Sequence, residues 1–112
     1  MALPERWGGS RPPTIPVTLV RGQDLMFTIQ PPQGATFPSG STIKMVVYSD
    51  ETASADILAT WSAIVSAQAA EVVRQSEETD LIPDGAYTRV FYAAPDTPTA
   101  DYCLSVGAVT RY

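Results

Sequence analysis

Two acidic groups and one thiol are the residues of this chain whose types and spacing could do chemistry. Asp50, Glu51 and Asp56 form one group; Glu77, Glu78, Asp80 and Asp84 form the other. Paired carboxylates can divide acid and base work in glycoside hydrolysis. Both groups, however, lie among polar turn residues or at the start of a short helical segment. Solvation, helix capping and solubility account for them there. Calcium would need an oxygen-ligand loop, and the Asp-x-Asp-x-Asp-Gly spacing is missing. Cys103 stands between Tyr102 and Leu104 in a strand-like run. The chain has no histidine, so nothing of that kind can take the thiol proton, and Cys103 reads as a small hydrophobe. The same absence removes Ser-His-Asp and Cys-His catalysis, histidine-ligated zinc and an imidazole pH switch. Gly8-Gly9 lacks the lysine and the strand-to-helix setting of a phosphate loop. These residues predict a protein that is not an enzyme, with no catalytic, cofactor or metal site.

A second set of residues suits contact rather than catalysis. Residues 1–16 carry Pro4, Gly8, Gly9, Pro12, Pro13 and Pro16, which leave no room for regular structure. The segment is locally basic through Arg6 and Arg11, and Trp7 stands alone among small and polar neighbours. A solvated terminus fits this composition. So does an arm that orders against a neighbouring subunit, because Trp and Arg are enriched at interface hot spots. Arg6, Trp7 and Arg11, together with Arg111 and Tyr112 at the other end, are the expected protein-interface residues. The chain thus divides into an extended arm over 1–16 and a folded domain over 17–112.

The composition sets limits on partners and place. The chain has 112 residues, with 7 Lys and Arg against 12 Asp and Glu. The net charge of −5 argues against nucleic acid, which is bound through clustered cations. No apolar run approaches the roughly 18–20 residues of a membrane span. Met1 to Gly9 lacks the basic-then-apolar order of a signal peptide, which predicts synthesis and folding in a reducing cytoplasm. One cysteine excludes an internal disulfide.

The elements that must position these residues follow a period of two, the mark of strands with one buried face. Val17 and Leu19, then Leu25, Phe27 and Ile29, alternate with polar or flexible neighbours. In 42–48, Ile43, Met45 and Val47 face one way and Lys44, Val46 and Tyr48 the other. Further strands are predicted over 57–65, 70–75, 86–93 and 99–109, with a possible bulge at Gly107. Ser76 is placed to cap one short helical turn, which Pro83 and Gly85 end. Phe37 lies in a loop and is expected to plug one end of the core, and Trp61 to pack inside it. Among Tyr48, Tyr87, Tyr92, Tyr102 and Tyr112, some must face outward. A glycan-binding module would need Tyr48, Trp61 and Tyr92 to face solvent together. Seven to eight short strands and no long helix predict an all-β sandwich or barrel.

The order of motifs carries a resemblance. Val20-Arg21-Gly22-Gln23-Asp24 leads into a strand, and Phe37-Pro38-Ser39-Gly40-Ser41 precedes another. Ser76 to Tyr87 reads Ser-Glu-Glu-Thr-Asp-Leu-Ile-Pro-Asp-Gly-Ala-Tyr, and 106–111 reads Val-Gly-Ala-Val-Thr-Arg. Over residues 17–111 the chain resembles the small immunoglobulin-like β-sandwich domains of tailed-phage virion proteins. It is similar to those of actinobacteriophage minor tail proteins and to the N-terminal domain of siphophage upper baseplate proteins. The resemblance implies a single antiparallel immunoglobulin-like sandwich. It also implies a non-enzymatic structural role in the virion, assembled in the bacterial host cytoplasm. A minor tail or tail-tip adaptor, packed in many copies against other phage tail or capsid subunits, is the expectation. A capsid-surface decoration protein and a host-glycan-binding module are the alternatives.

Overall fold

The computed structural model describes residues 13–31, 34–52, 54–95 and 101–112. The strands are β1 (Val17–Leu19), β2 (Leu25–Ile29), β3 (Thr42–Tyr48), β4 (Ile57–Ser62), β5 (Ile64–Val65), β6 (Ala70–Arg74), β7 (Tyr87–Ala93) and β8 (Asp101–Arg111). One helical turn, α1 (Ser76–Thr79), sits between β6 and β7. The strands form a five-stranded sheet in the order β1-β8-β7-β3-β4 and a three-stranded sheet in the order β2-β6-β5. The chain passes between the sheets after β1, β2, β4 and β6. This interleaving is that of an immunoglobulin-like sandwich. One pair departs from the expected antiparallel arrangement: β1 runs parallel to β8, with Val17 opposite Val109.

Alternation places the core. On β3, Ile43, Met45 and Val47 are 3%, 0% and 1% exposed, so this face points between the sheets. Trp61 from β4, Val72 from β6, Val90 from β7 and Leu104 from β8 meet them there. Each such side chain contributes about 1.5–3 kcal/mol through burial. Phe37 closes one end as expected, stacked on Tyr92 with ring centroids 6.3 Å apart. The Tyr92 hydroxyl is buried but accepts a hydrogen bond from Ser41 Oγ at 3.4 Å, which satisfies it.

Four local expectations are corrected. The 57–65 run is two strands, because the chain leaves one sheet for the other at Ala63. Its N–H still donates to the Ile43 carbonyl at 2.8 Å, while Ile64 and Val65 pair with β6. The bulge of β8 lies at Leu104, between the Val90–Ser105 and Phe91–Cys103 pairs, and not at Gly107. At Gly107 another backbone crosses instead: a Cβ there would overlap the Ile15 carbonyl, with the carbonyl carbon only 2.7 Å away. Residues 13–16 therefore belong to the sandwich and not to an arm. Thr14 bridges Val106, the Ile15 N–H donates to Val106 at 2.7 Å, and Val106 donates to Pro13 at 3.0 Å. Finally, α1 has Gln75 at its N-cap with no side-chain cap. The Ser76 N–H donates instead to Asp24 Oδ1 at 2.8 Å.

Candidate interaction surface

Strand directions bring the loops 20–24, 49–56 and 75–86 to the same end of the sandwich, because Leu25 pairs with Arg74 and Tyr48 with Tyr87. The end of β8 joins them, since Leu19 pairs with Arg111. Three of the four motifs that carry the family resemblance, 20–24, 76–87 and 106–111, thus meet in space, and Arg111 ties them together; the 37–41 turn lies at the other end. Its Nε donates to the Ile82 carbonyl at 2.5 Å, and a terminal nitrogen donates to the Thr79 carbonyl. Its other terminal nitrogen lies 3.6 Å from Asp80 Oδ1. Its backbone N–H donates to Asp84 Oδ1 at 2.9 Å. A helix leaves its last carbonyls unsatisfied, and a guanidinium fork is suited to fill them. The turn 20–24 is held by the same group of residues: the Gly22 N–H donates to Asp80 Oδ1 at 3.2 Å, and Thr79 Oγ1 donates to the Gln23 carbonyl at 3.4 Å.

This geometry corrects one expected interface residue and gives partners to Asp24 and to four of the seven candidate carboxylates. The Arg111 side chain is only 9% exposed and donates to two carbonyls inside the fold, so it is a structural tie and not a contact group. Tyr112 beside it is exposed at 72%. Arg6, Trp7 and Arg11 lie outside the described residues. Asp24, Asp80 and Asp84 each accept backbone N–H groups. Glu78 lies 3.8 Å from Arg74, four residues back at the end of β6. Asp50 accepts the Thr52 hydroxyl and N–H, bonds that hold its carboxyl below the usual range. Among the described residues, no three His, Cys, Asp or Glu side chains gather to hold a metal ion. Burial pushes the Cys103 thiol up, the direction opposite to an activated nucleophile.

The family described as LtfC-like, beta-sandwich domain, matches residues 11–112. The chain belongs to this family. The match makes it a phage-associated β-sandwich domain, which is the broader part of the resemblance read from the motifs. No curated protein matches the chain. Among solved structures, the LtfC-like domain is similar to the extracellular domain of the voltage-gated sodium channel beta4 subunit, described as forming parallel homodimers in cell–cell adhesion. The identity is 9%, the alignment covers 92% of this chain and 96% of that one, and the TM-score is 0.42. That likeness concerns the fold alone.

The LtfC-like domain offers two outward sheet faces. On the five-stranded sheet, Tyr48 and Tyr87 are cross-strand neighbours. The Arg89 guanidinium lies 4.6 Å from the Tyr48 ring centroid and 5.3 Å from that of Tyr87. It also donates to the Glu51 carbonyl at 3.2 Å. This cation–π arrangement fixes two half-buried aromatics and an arginine in place before any partner arrives. Farther along the same sheet, Lys44, Ser62 and Phe91 line a groove of about 420 Å³ with Ile43, Ala63 and Val65. On the three-stranded sheet, Met26 faces Val73 across the β2–β6 pair, and Ile64 lies on the same outer face opposite Glu71. These three are 71%, 46% and 74% exposed. The sugar-platform arrangement does not occur: Trp61 and Tyr92 are buried at 5% and 4%, and only Tyr48 of that trio reaches the surface. The Arg89 clamp has a sequence signal, since Tyr87, Arg89 and Phe91 share one strand face. It becomes meaningful only once Tyr48 is known to lie opposite Tyr87.

Proposed function

We propose that this chain is a non-enzymatic structural component of a phage particle, a minor tail or tail-tip adaptor that packs in several copies against neighbouring virion subunits. The observation that carries this reading is the outer face of the three-stranded sheet. A sandwich needs apolar side chains on its inner faces only, and outward positions on a monomer are ordinarily polar. Here Met26 and Val73 face each other on the outside, and Ile64 shares that face opposite Glu71. An exposed apolar patch bordered by polar residues marks a protein contact. Membership in a phage-associated β-sandwich family supports the same reading. The carboxylates with clear partners hold the loops together, which supports a structural use of those residues. The reading is tested by quantifying peptides of this chain in gradient-purified particles against the soluble lysate fraction. Fixed stoichiometry to the main structural proteins is expected. Recovery only in the soluble fraction would remove the protein from the particle.

A further inference from the structure

The edge of the five-stranded sheet formed by β4 is built to accept another strand. It is the outermost strand on that side and six residues long, Ile57-Leu58-Ala59-Thr60-Trp61-Ser62. An edge strand presents a row of unpaired backbone groups. Proteins that stay apart protect such edges with lysine, proline or inward-pointing charge. Strand β4 contains none of these; a bulge, a further protective device, is present at Leu58 but lies near the strand's start and leaves 59–62 regular, and Ile57 and Leu58 are 62% and 42% exposed. The register shift opposite Val47 and Tyr48 leaves Leu58 as the extra residue and out of the core. Among the described residues nothing pairs with this edge.

We propose that β4 pairs antiparallel with β4 of a second copy of this chain, joining two five-stranded sheets into one of ten strands. The occupant follows from the strand's fit to itself. A two-fold axis perpendicular to the sheet keeps each face on its own side, so residues opposite one another must share a face. Thr60 and Ser62 are exposed and pair with the outward Val46 and Lys44, whereas Ala59 and Trp61 pair with the inward Val47 and Met45. A two-fold axis at Thr60 meets this condition. Thr60 then faces its own counterpart, Ala59 faces Trp61, and Leu58 faces Ser62. Thr–Thr and apolar pairs are favourable cross-strand neighbours. The core layer also continues from one copy to the next. Charge agrees: the strand is uncharged, and antiparallel pairing sends the Asp50, Glu51 and Asp56 loops of the two copies to opposite ends. A parallel arrangement would set these loops side by side.

Six residues span about 20 Å, so the contact lies at the small end of specific interfaces. The pairing is therefore weak in dilute solution and gains strength where many copies are held together. It deepens the multi-copy part of the proposed function. It is read from mass in solution, so its failure is separate from a failure of particle labelling. Sedimentation of the full chain from about 10 µM to about 1 mM should show reversible dimerisation in the range where weak edge contacts form. Thr60→Lys places two ammonium groups face to face and should weaken the dimer at least about tenfold. Thr60→Glu should do the same. An equimolar mixture of the two variants should dimerise again, because lysine then faces glutamate. Thr60 is exposed, and circular dichroism checks that both variants fold. A wild type that stays monomeric to the highest concentration overturns the proposal. So does a dimer that survives both substitutions, or a mixture that does not recover.

Discussion

Arg111 is the residue whose removal is expected to loosen the most structure at once. Arg111→Met keeps the aliphatic stem and deletes the guanidinium. The Ile82 carbonyl then loses its donor in a part-buried setting, while the Thr79 carbonyl loses one of two, keeping the Ile82 N–H at 3.0 Å. A polar group left without a partner costs about 1–3 kcal/mol and a lost hydrogen bond to a still-partnered group about 0.5–1.5 kcal/mol, so the two together cost about 1.5–4.5 kcal/mol. The Asp80 contact adds little: at 3.6 Å, with Asp80 29% exposed, solvent screening limits it to about 0.5 kcal/mol. A domain of this size carries about 5–15 kcal/mol in total. Each kcal/mol moves the melting temperature by about 4 °C, so a fall of about 6–18 °C is expected. Urea denaturation measures the free energy and thermal scans the midpoint. Asp80→Asn should lose less than Arg111→Met, since it removes the ion pair and keeps both carbonyl contacts. A stability of Arg111→Met within about 0.5 kcal/mol of wild type would show that Arg111 does not tie this end of the sandwich together.

Three further outcomes are expected. Gly107→Ala sets a methyl group into the crossing backbone at Ile15, and should either displace residues 13–16 or lower stability by about 1–3 kcal/mol or more; proteolysis before Val17 and denaturation read the two results. The folded Cys103 thiol, raised by burial, should alkylate at least about tenfold more slowly at pH 8.5 than in the urea-unfolded chain. Its contribution to stability is fully present below the unfolded thiol value and is lost as pH rises through the folded one; equal alkylation rates in the two states would contradict this. Removal of residues 1–12, keeping the 13–16 contacts with β8, should preserve the melting temperature and abolish incorporation into particles. Incorporation at the wild-type copy number would set aside an interface role for Arg6, Trp7 and Arg11.

Most of the sandwich was legible because alternation reports burial directly. Ile43, Met45 and Val47 announced the inner face of β3 before any partner strand was known. The helical turn was legible too, although it ends at Thr79, before the Pro83 and Gly85 that close the segment. What stayed hidden depends on contacts distant in sequence. Arg111 reads as a terminal surface charge until β8 carries it beneath Thr79 and Ile82, some thirty positions earlier. Gly107 looks like a flexible strand position, and only the crossing of Ile15 reveals why a side chain cannot stand there. Pro12, Pro13 and Pro16 suggested a continuous arm, yet proline is compatible with the edge pairing that residues 13–16 adopt on β8. The carboxylates were correctly read as loop residues, but their partners, such as Asp24 with Ser76, could not be assigned without the fold. The Arg89 clamp required the Tyr48–Tyr87 register, which no local pattern contains.

The central claim is that this protein is built into a phage particle at the tail. Immunogold electron microscopy of intact particles, with antibody raised against the folded domain, tests it most directly. The account predicts gold at the tail or its tip. Gold spread over the head would contradict the tail position and make this a capsid-surface protein. Particles without gold, and without peptides of this chain after dissociation, would contradict a structural role in the particle altogether.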